Sequence, residues 1–168
     1  MLFRSASGKQ VRWAVRSSVD PYHPALSPDG RILATRKGDN RLGGGTPNSA
    51  IRLWELASGQ EVARLEVPED GTSDLAFSPD GRFLVASCVR SIVIPIPHDQ
   101  VVRLWDVGTG QELRQFTGHL GLIWSAAFAP DGRSVISGSM DGTALVWDIS
   151  DLTSRSKPGP LTTTPRRR

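Results

Sequence analysis

Short runs rich in apolar residues, each bounded by turn-forming residues, recur along the chain. Ser73 to Ser78, Arg82 to Cys88, Val101 to Asp106 and Glu112 to Thr117 read as four successive strands. The corner Ser78-Pro79-Asp80-Gly81 has a mechanism: proline presets φ, aspartate bonds nearby backbone, and glycine accepts the positive φ needed to re-enter a strand. The small polar turn Gly108-Thr109-Gly110-Gln111 suits a second hairpin. Along Ile51-Arg52-Leu53-Trp54 and Val102-Arg103-Leu104-Trp105 the alternation is imperfect and both faces carry apolar residues. That pattern belongs to a small sheet sandwiched between two others, so the chain reads as all-β, built of stacked antiparallel four-stranded sheets.

The unit repeats. Ser27-Pro28-Asp29-Gly30-Arg31 returns at Ser78 to Arg82 and, with alanine first, at Ala129 to Arg133, 51 residues on each time. Leu53-Trp54-Glu55 and Leu104-Trp105-Asp106 keep the same phase, and Val146-Trp147-Asp148 follows after 42. Extended backwards, the phase reaches Leu2-Phe3-Arg4 and Ser7-Gly8-Lys9-Gln10, so the chain is expected to begin inside a repeat.

These residues resemble the WD-repeat family, whose units of about 40 to 45 residues build four-stranded propeller blades. The last unit matches best, with Gly118-His119, the Asp131-Gly132 turn, Ser137-Gly138-Ser139-Met140-Asp141-Gly142-Thr143 and Val146-Trp147-Asp148. The resemblance is to bacterial-style repeat arrays with many Ser-Pro-Asp-Gly turns. It implies WD40-type β-propeller blades in an incomplete ring: three blades plus one extra outer strand. Residues 1–18 would form the outer strand of a preceding or clasped blade, 19–68 blade one, 69–118 blade two, 119–151 blade three without its outer strand, and 152–168 a disordered basic tail.

By the same resemblance His119, Ser137, Asp141 and Trp147 form a buried hydrogen-bonded tetrad of structural role. The earlier units depart from it, with Ser17 or Pro68 at the histidine, Asn48 or Asp99 at the aspartate, and Thr35 or Ala86 at the serine. Packing of Trp54, Trp105 and Phe77 must hold those blades, since an aromatic removes about 150 to 250 Å² from water. Trp54→Ala and Trp105→Ala are both expected to unfold the chain.

Charge narrows the function. The net charge is +3, but Arg155, Lys157, Arg166, Arg167 and Arg168 all follow Asp151, and without these five the body stands at −2. A basic stripe is therefore missing, which argues against nucleic acid as partner; the rival would use Arg166 to Arg168 with Arg36, Lys37 and Arg41. Cys88 is the single cysteine, no apolar run is of signal or membrane-spanning length, and the expectation is a cytoplasmic protein with no membrane partner.

Function is expected in the loops. The first two units carry a nine-residue excess around Gly38 to Thr46 and Val89 to Pro97. In WD-repeat propellers such connections open on the face that also carries the start of the innermost strands. The candidate partner face therefore comprises Tyr22, Arg36, Lys37, Arg41, Ser73, Ile94, His98, Trp124 and Met140, where Trp124 and Met140 are large and apolar as binding hot spots tend to be. The competing readings are a tolerated flexible loop for the first insertion, packing over the blade top for the second, and ordinary burial against the adjacent blade for Trp124 and Met140.

Only His23, His98 and His119 exist, without metal spacing or a nucleophile elbow, so no catalytic residue, metal or cofactor is expected. An enzyme rival, a propeller hydrolase using Asp39, His98 and Asp99, is weakened because Asp99 aligns with a structural position. The reading is a non-enzymatic scaffold for protein or peptide partners. Its alternative is a C-terminal remnant of a larger regulatory WD-repeat protein, for example kinase-linked, with no independent activity. Three blades cannot close a ring alone, and a homodimer closing a six-bladed ring is a further reading.

Overall fold

The Pro-Asp-Gly corners fold as their chemistry dictates. In the computed structural model, which describes residues 2–4, 10–13, 24–37, 49–67, 71–89 and 100–154, Asp29 accepts the Arg31 N–H at 3.1 Å and the Ser27 hydroxyl at 2.6 Å. The Gly30 N–H donates to the Ser27 carbonyl with Gly30 at φ 71°. Ser78, Asp80, Arg82 and Gly81 repeat this arrangement. Ala129 has no hydroxyl to contribute, yet Asp131 still accepts the Arg133 N–H at 2.9 Å.

These corners and the glycine turns organise the strands into sheets in which sequence neighbours are spatial neighbours, all antiparallel. The first blade orders β3 (Ala25–Leu26), β4 (Ile32–Lys37), β5 (Ser49–Glu55) and β6 (Gln60–Val67). The second orders β7 (Gly71–Phe77), β8 (Phe83–Val89), β9 (Val101–Asp106) and β10 (Glu112–Thr117). The third has three strands, β11 (Ile123–Phe128), β12 (Ser134–Ser139) and β13 (Ala144–Asp148), followed by the single turn α1 (Ser150–Thr153). Before them, β1 (Leu2–Arg4) and β2 (Gln10–Trp13) form a two-stranded ribbon, so the outer strand expected within residues 1–18 has a partner.

The blades stack through two apolar cores, which explains the two-faced strands. Between the first and second lie Ala34, Ile51, Leu53 and Leu65 from one side and Leu75, Leu84, Ala86 and Trp105 from the other. Between the second and third lie Phe83, Val85, Val102, Leu104 and Phe116, against Ile123, Ala126, Val135, Ile149 and Leu152. β9, buried at every position, serves both cores. Its two charged residues are paired, Arg103 with Glu112 at 2.6 Å and Asp106 with Arg82 at 3.5 Å, as burial of charge requires.

Hydrogen bonds stitch the inner strands across the blade boundaries. The Arg36 guanidinium donates to the Thr72 carbonyl, joining the first blade to the second. Ser73 Oγ donates to the Ile123 carbonyl at 2.5 Å and Asp74 Oδ2 accepts the Ala126 N–H at 3.2 Å, joining the second to the third. At the opposite end of the third blade, Ile149 and Leu152 are buried. Arg114 grips Asp151 with two nitrogens, at 3.2 and 2.7 Å. After β13 the chain therefore turns under the interface with the second blade.

Candidate functional site

The third blade concentrates the informative residues. Trp147 on β13 donates its indole N–H to Ser137 Oγ on β12 at 2.8 Å, and Ser137 Oγ lies 2.8 Å from His119 Nε2. His119 Nδ1 lies 3.1 Å from Asp141 Oδ2. Because the indole can only donate, the Ser137 hydroxyl is left to donate to Nε2, which assigns the proton of a neutral His119 to Nδ1, facing Asp141. Each donor thus meets an acceptor from β13 back to the loop before β11. The structure brings these four residues together, and Trp147 also stacks on Phe116 of the second blade, ring centroids 5.2 Å apart.

Asp141 is the hub of the adjoining loops. It accepts the Leu120 N–H at 2.8 Å, the Thr143 N–H at 2.8 Å and the Thr143 hydroxyl at 2.6 Å. The Thr143 hydroxyl first, then these backbone donors and His119, hold its carboxyl well below the usual carboxylate range. The folded state therefore favours the carboxylate, a stabilisation present above the ordinary carboxylate pKa of about 3.9 and lost as pH falls towards the depressed value. The melting temperature should drop on acidification below about pH 4, and Asp141→Asn should flatten that drop. Asp29, held down by the Ser27 hydroxyl and the Arg31 N–H, and Asp148, held down by the Ser150 N–H, titrate in the same direction and leave a residual slope.

The same scaffold is thinner in the other blades. Trp54 donates its indole N–H to Thr35 Oγ1 at 2.8 Å, so threonine substitutes for serine in the first blade. In the second, Ala86 offers no hydroxyl to Trp105, which is buried in the core instead. Asn48, Asp99, Ser17 and Pro68 lie outside the described residues.

The candidate partner face divides. Trp124 and Met140 stand in solvent at 62% exposure each. Both lie at the end of the blade where the loop before β11 meets the β12–β13 turn, and the Met140 N–H bonds the Leu122 carbonyl there. Leu120, which sequence reasoning did not single out, is 86% exposed at the same end. Ser73 and Trp124 occupy the same position in successive blades, each in a register shift near the start of the innermost strand, and a bulge re-aims a side chain. The Ser73 hydroxyl is engaged within the scaffold, by the Ile123 carbonyl and by Ser87 Oγ at 2.8 Å, whereas the indole of Trp124 faces water. The Arg36 guanidinium is turned towards the second blade. Tyr22, Arg41, Ile94, His98, Asp39 and both insertions, apart from the backbone of Val89, lie outside the described residues, as does the side chain of Lys37. Among the described residues no cluster of histidine, cysteine or carboxylate side chains could hold a metal ion, and no helix is long and apolar enough to cross a membrane.

The family profile described as WD domain, G-beta repeat matches residues 59–106 and 110–148, more than half of the chain. The chain belongs to the WD-repeat family. Each matched segment starts at the turn before an outer strand and ends at the third strand of the next blade, so one WD repeat straddles two sheets and ties them covalently. Similar proteins include protein tipD of Dictyostelium discoideum, 27% identical over 85% of this chain and 20% of that protein. The human WD repeat and SOCS box-containing protein 1 is 26% identical over 67% of this chain and 25% of its own length. The target of rapamycin complex subunit LST8-1 of Arabidopsis thaliana is 29% identical over 74% of this chain and 35% of its own. The chain thus spans between a fifth and about a third of the length of these relatives.

Proposed function

We propose that this WD-repeat chain is a non-enzymatic scaffold that binds a protein or peptide through the end of the third blade bearing Leu120, Trp124 and Met140. The carrying observation is that three large apolar side chains stand in water at one end of a blade whose loops are fixed by the His119–Asp141–Thr143 network. A rigid aromatic presented on a fixed framework loses little entropy on binding, which is why tryptophan is enriched among binding hot spots. The naming of one relative as a complex subunit supports the same reading.

The test places a photo-crosslinking amino acid at position 124 and, separately, at the exposed Arg133 in the corner between β11 and β12. Proteins captured at 124 and not at 133 should lose binding to Trp124→Ala by about thirty-fold, the effect of a 2 kcal/mol hot spot. The melting temperature should stay unchanged, because an exposed side chain contributes within about 0.5 kcal/mol to folding. Equal capture at both positions, or binding indifferent to Trp124→Ala, would contradict the proposal.

A further inference from the structure

Among the described residues the outer edge of the third blade has no strand beside it. The Ile149 N–H bonds the Arg133 carbonyl and the Ser139 N–H bonds the Thr143 carbonyl, which fixes the alternation along β13. Residues 143, 145, 147 and 149 address β12, so Ala144, Val146 and Asp148 direct their N–H and C=O groups to the other side. In the second blade the equivalent outward position, Asp106, donates its N–H to the Gln111 carbonyl where β10 begins. Beside β13 no such strand lies among the described residues; the Asp148 carbonyl takes Arg114 at 3.1 Å. Among the described residues nothing covers the sheet face beyond it either. Ala127, Ile136 and Val146 pair across the three strands, and all are exposed, Val146 at 68%. The corresponding row of the second blade, Ala76, Val85 and Leu104, packs against the third.

We propose that two copies of this chain exchange strands: β2 of each leaves its ribbon and pairs antiparallel with β13 of the other, supplying the fourth strand. The repeat selects this occupant. Glu61 and Glu112 stand opposite Trp54 and Trp105 in the completed sheets, and the 51-residue phase puts Gln10 in their place, opposite Trp147. Among the described residues β2 pairs with the three residues of β1, in a two-stranded sheet with a register shift, an arrangement marginal in water. β13 offers a longer ladder in a sheet already packed on its neighbour. Topology covers the exposed row at the same time. β6 is followed by β7 and β10 by β11, each opening the blade that stacks on the last, so β2 on β13 brings the first blade of the second copy over Ala127, Ile136 and Val146. Done twice about a two-fold axis, this closes six blades into one ring, within the range of about 4 to 8 that propellers use.

Light scattering on the purified full chain tests it. The expected mass is twice 18.2 kDa. Val146→Pro removes only an outward N–H, a change that edge strands tolerate, and should halve the mass while leaving the circular dichroism unchanged. Ile136→Arg, which alters the face and no backbone donor, should halve it as well. A single-copy mass for the unmutated chain, a mass above two copies, or a pair that survives either substitution would overturn the proposal.

Discussion

Trp105→Ala is expected to unfold the chain. Trp105 is 1% exposed and sits in the core between the first two blades beside Leu53, Leu65, Leu84 and Ala86. Truncating a buried tryptophan costs about 3–5 kcal/mol in lost transfer energy and cavity formation, against a total stability of about 5–15 kcal/mol for a typical domain. The second blade has no hydroxyl at Ala86 to hold its third strand in compensation. Chemical denaturation followed by circular dichroism checks this, and a midpoint for Trp105→Ala equal to that of the unmutated chain would contradict the packing described here. Trp54 is different in degree. Its indole is half-buried, bonded to Thr35 and approached by the Arg52 guanidinium at 5.9 Å. Trp54→Ala should therefore cost less than Trp105→Ala, where the sequence pattern alone ranks the two as equals.

Ser137→Ala is expected to be nearly as damaging for a different reason. Its hydroxyl is the one atom shared by Trp147 Nε1 and His119 Nε2, and both Ser137 and His119 are buried. Removing it strands a donor and an acceptor at once. Each unsatisfied buried group costs about 1–3 kcal/mol, so a loss of about 2–6 kcal/mol follows. Thr35→Ala strands only the Trp54 indole and should cost roughly half as much. Thermal unfolding of both variants measures the difference, and equal shifts would show that the bond to His119 contributes nothing. Ser137→Thr, which keeps the hydroxyl, should recover part of the loss.

Much of the fold was legible because the repeat fixes it. The phase between the Pro-Asp-Gly corners and the tryptophans locates strands from the turns inward, and apolar residues on both faces of Val101 to Asp106 announce a strand buried from two sides. The tetrad was legible by resemblance alone, since nothing in the spacing of His119, Ser137, Asp141 and Trp147 says that they meet. Sequence could not separate Ser73 from Trp124, because both hold the same bulge and only the neighbouring blade decides which side chain is used inside. Ser73 finds the Ile123 carbonyl to one side; Trp124 has no such blade beside it among the described residues and stands exposed. Leu120 was missed because an apolar residue in a loop looks like ordinary burial until Asp141 is seen to take its N–H and leave the side chain outside. Asp74 carries no periodic signal either, and its bond across the blade boundary to Ala126 emerges only from the stacking.

The stacking of separate sheets with an indole between them underlies every expectation above. It is tested most directly by nuclear Overhauser contacts of the Trp147 indole in the full chain. Strong cross-peaks to the Phe116 ring, whose centroid lies 5.2 Å away on the adjacent blade, are the expected result. Contacts of Trp147 confined to β12 and β13, with none to Phe116, would contradict it.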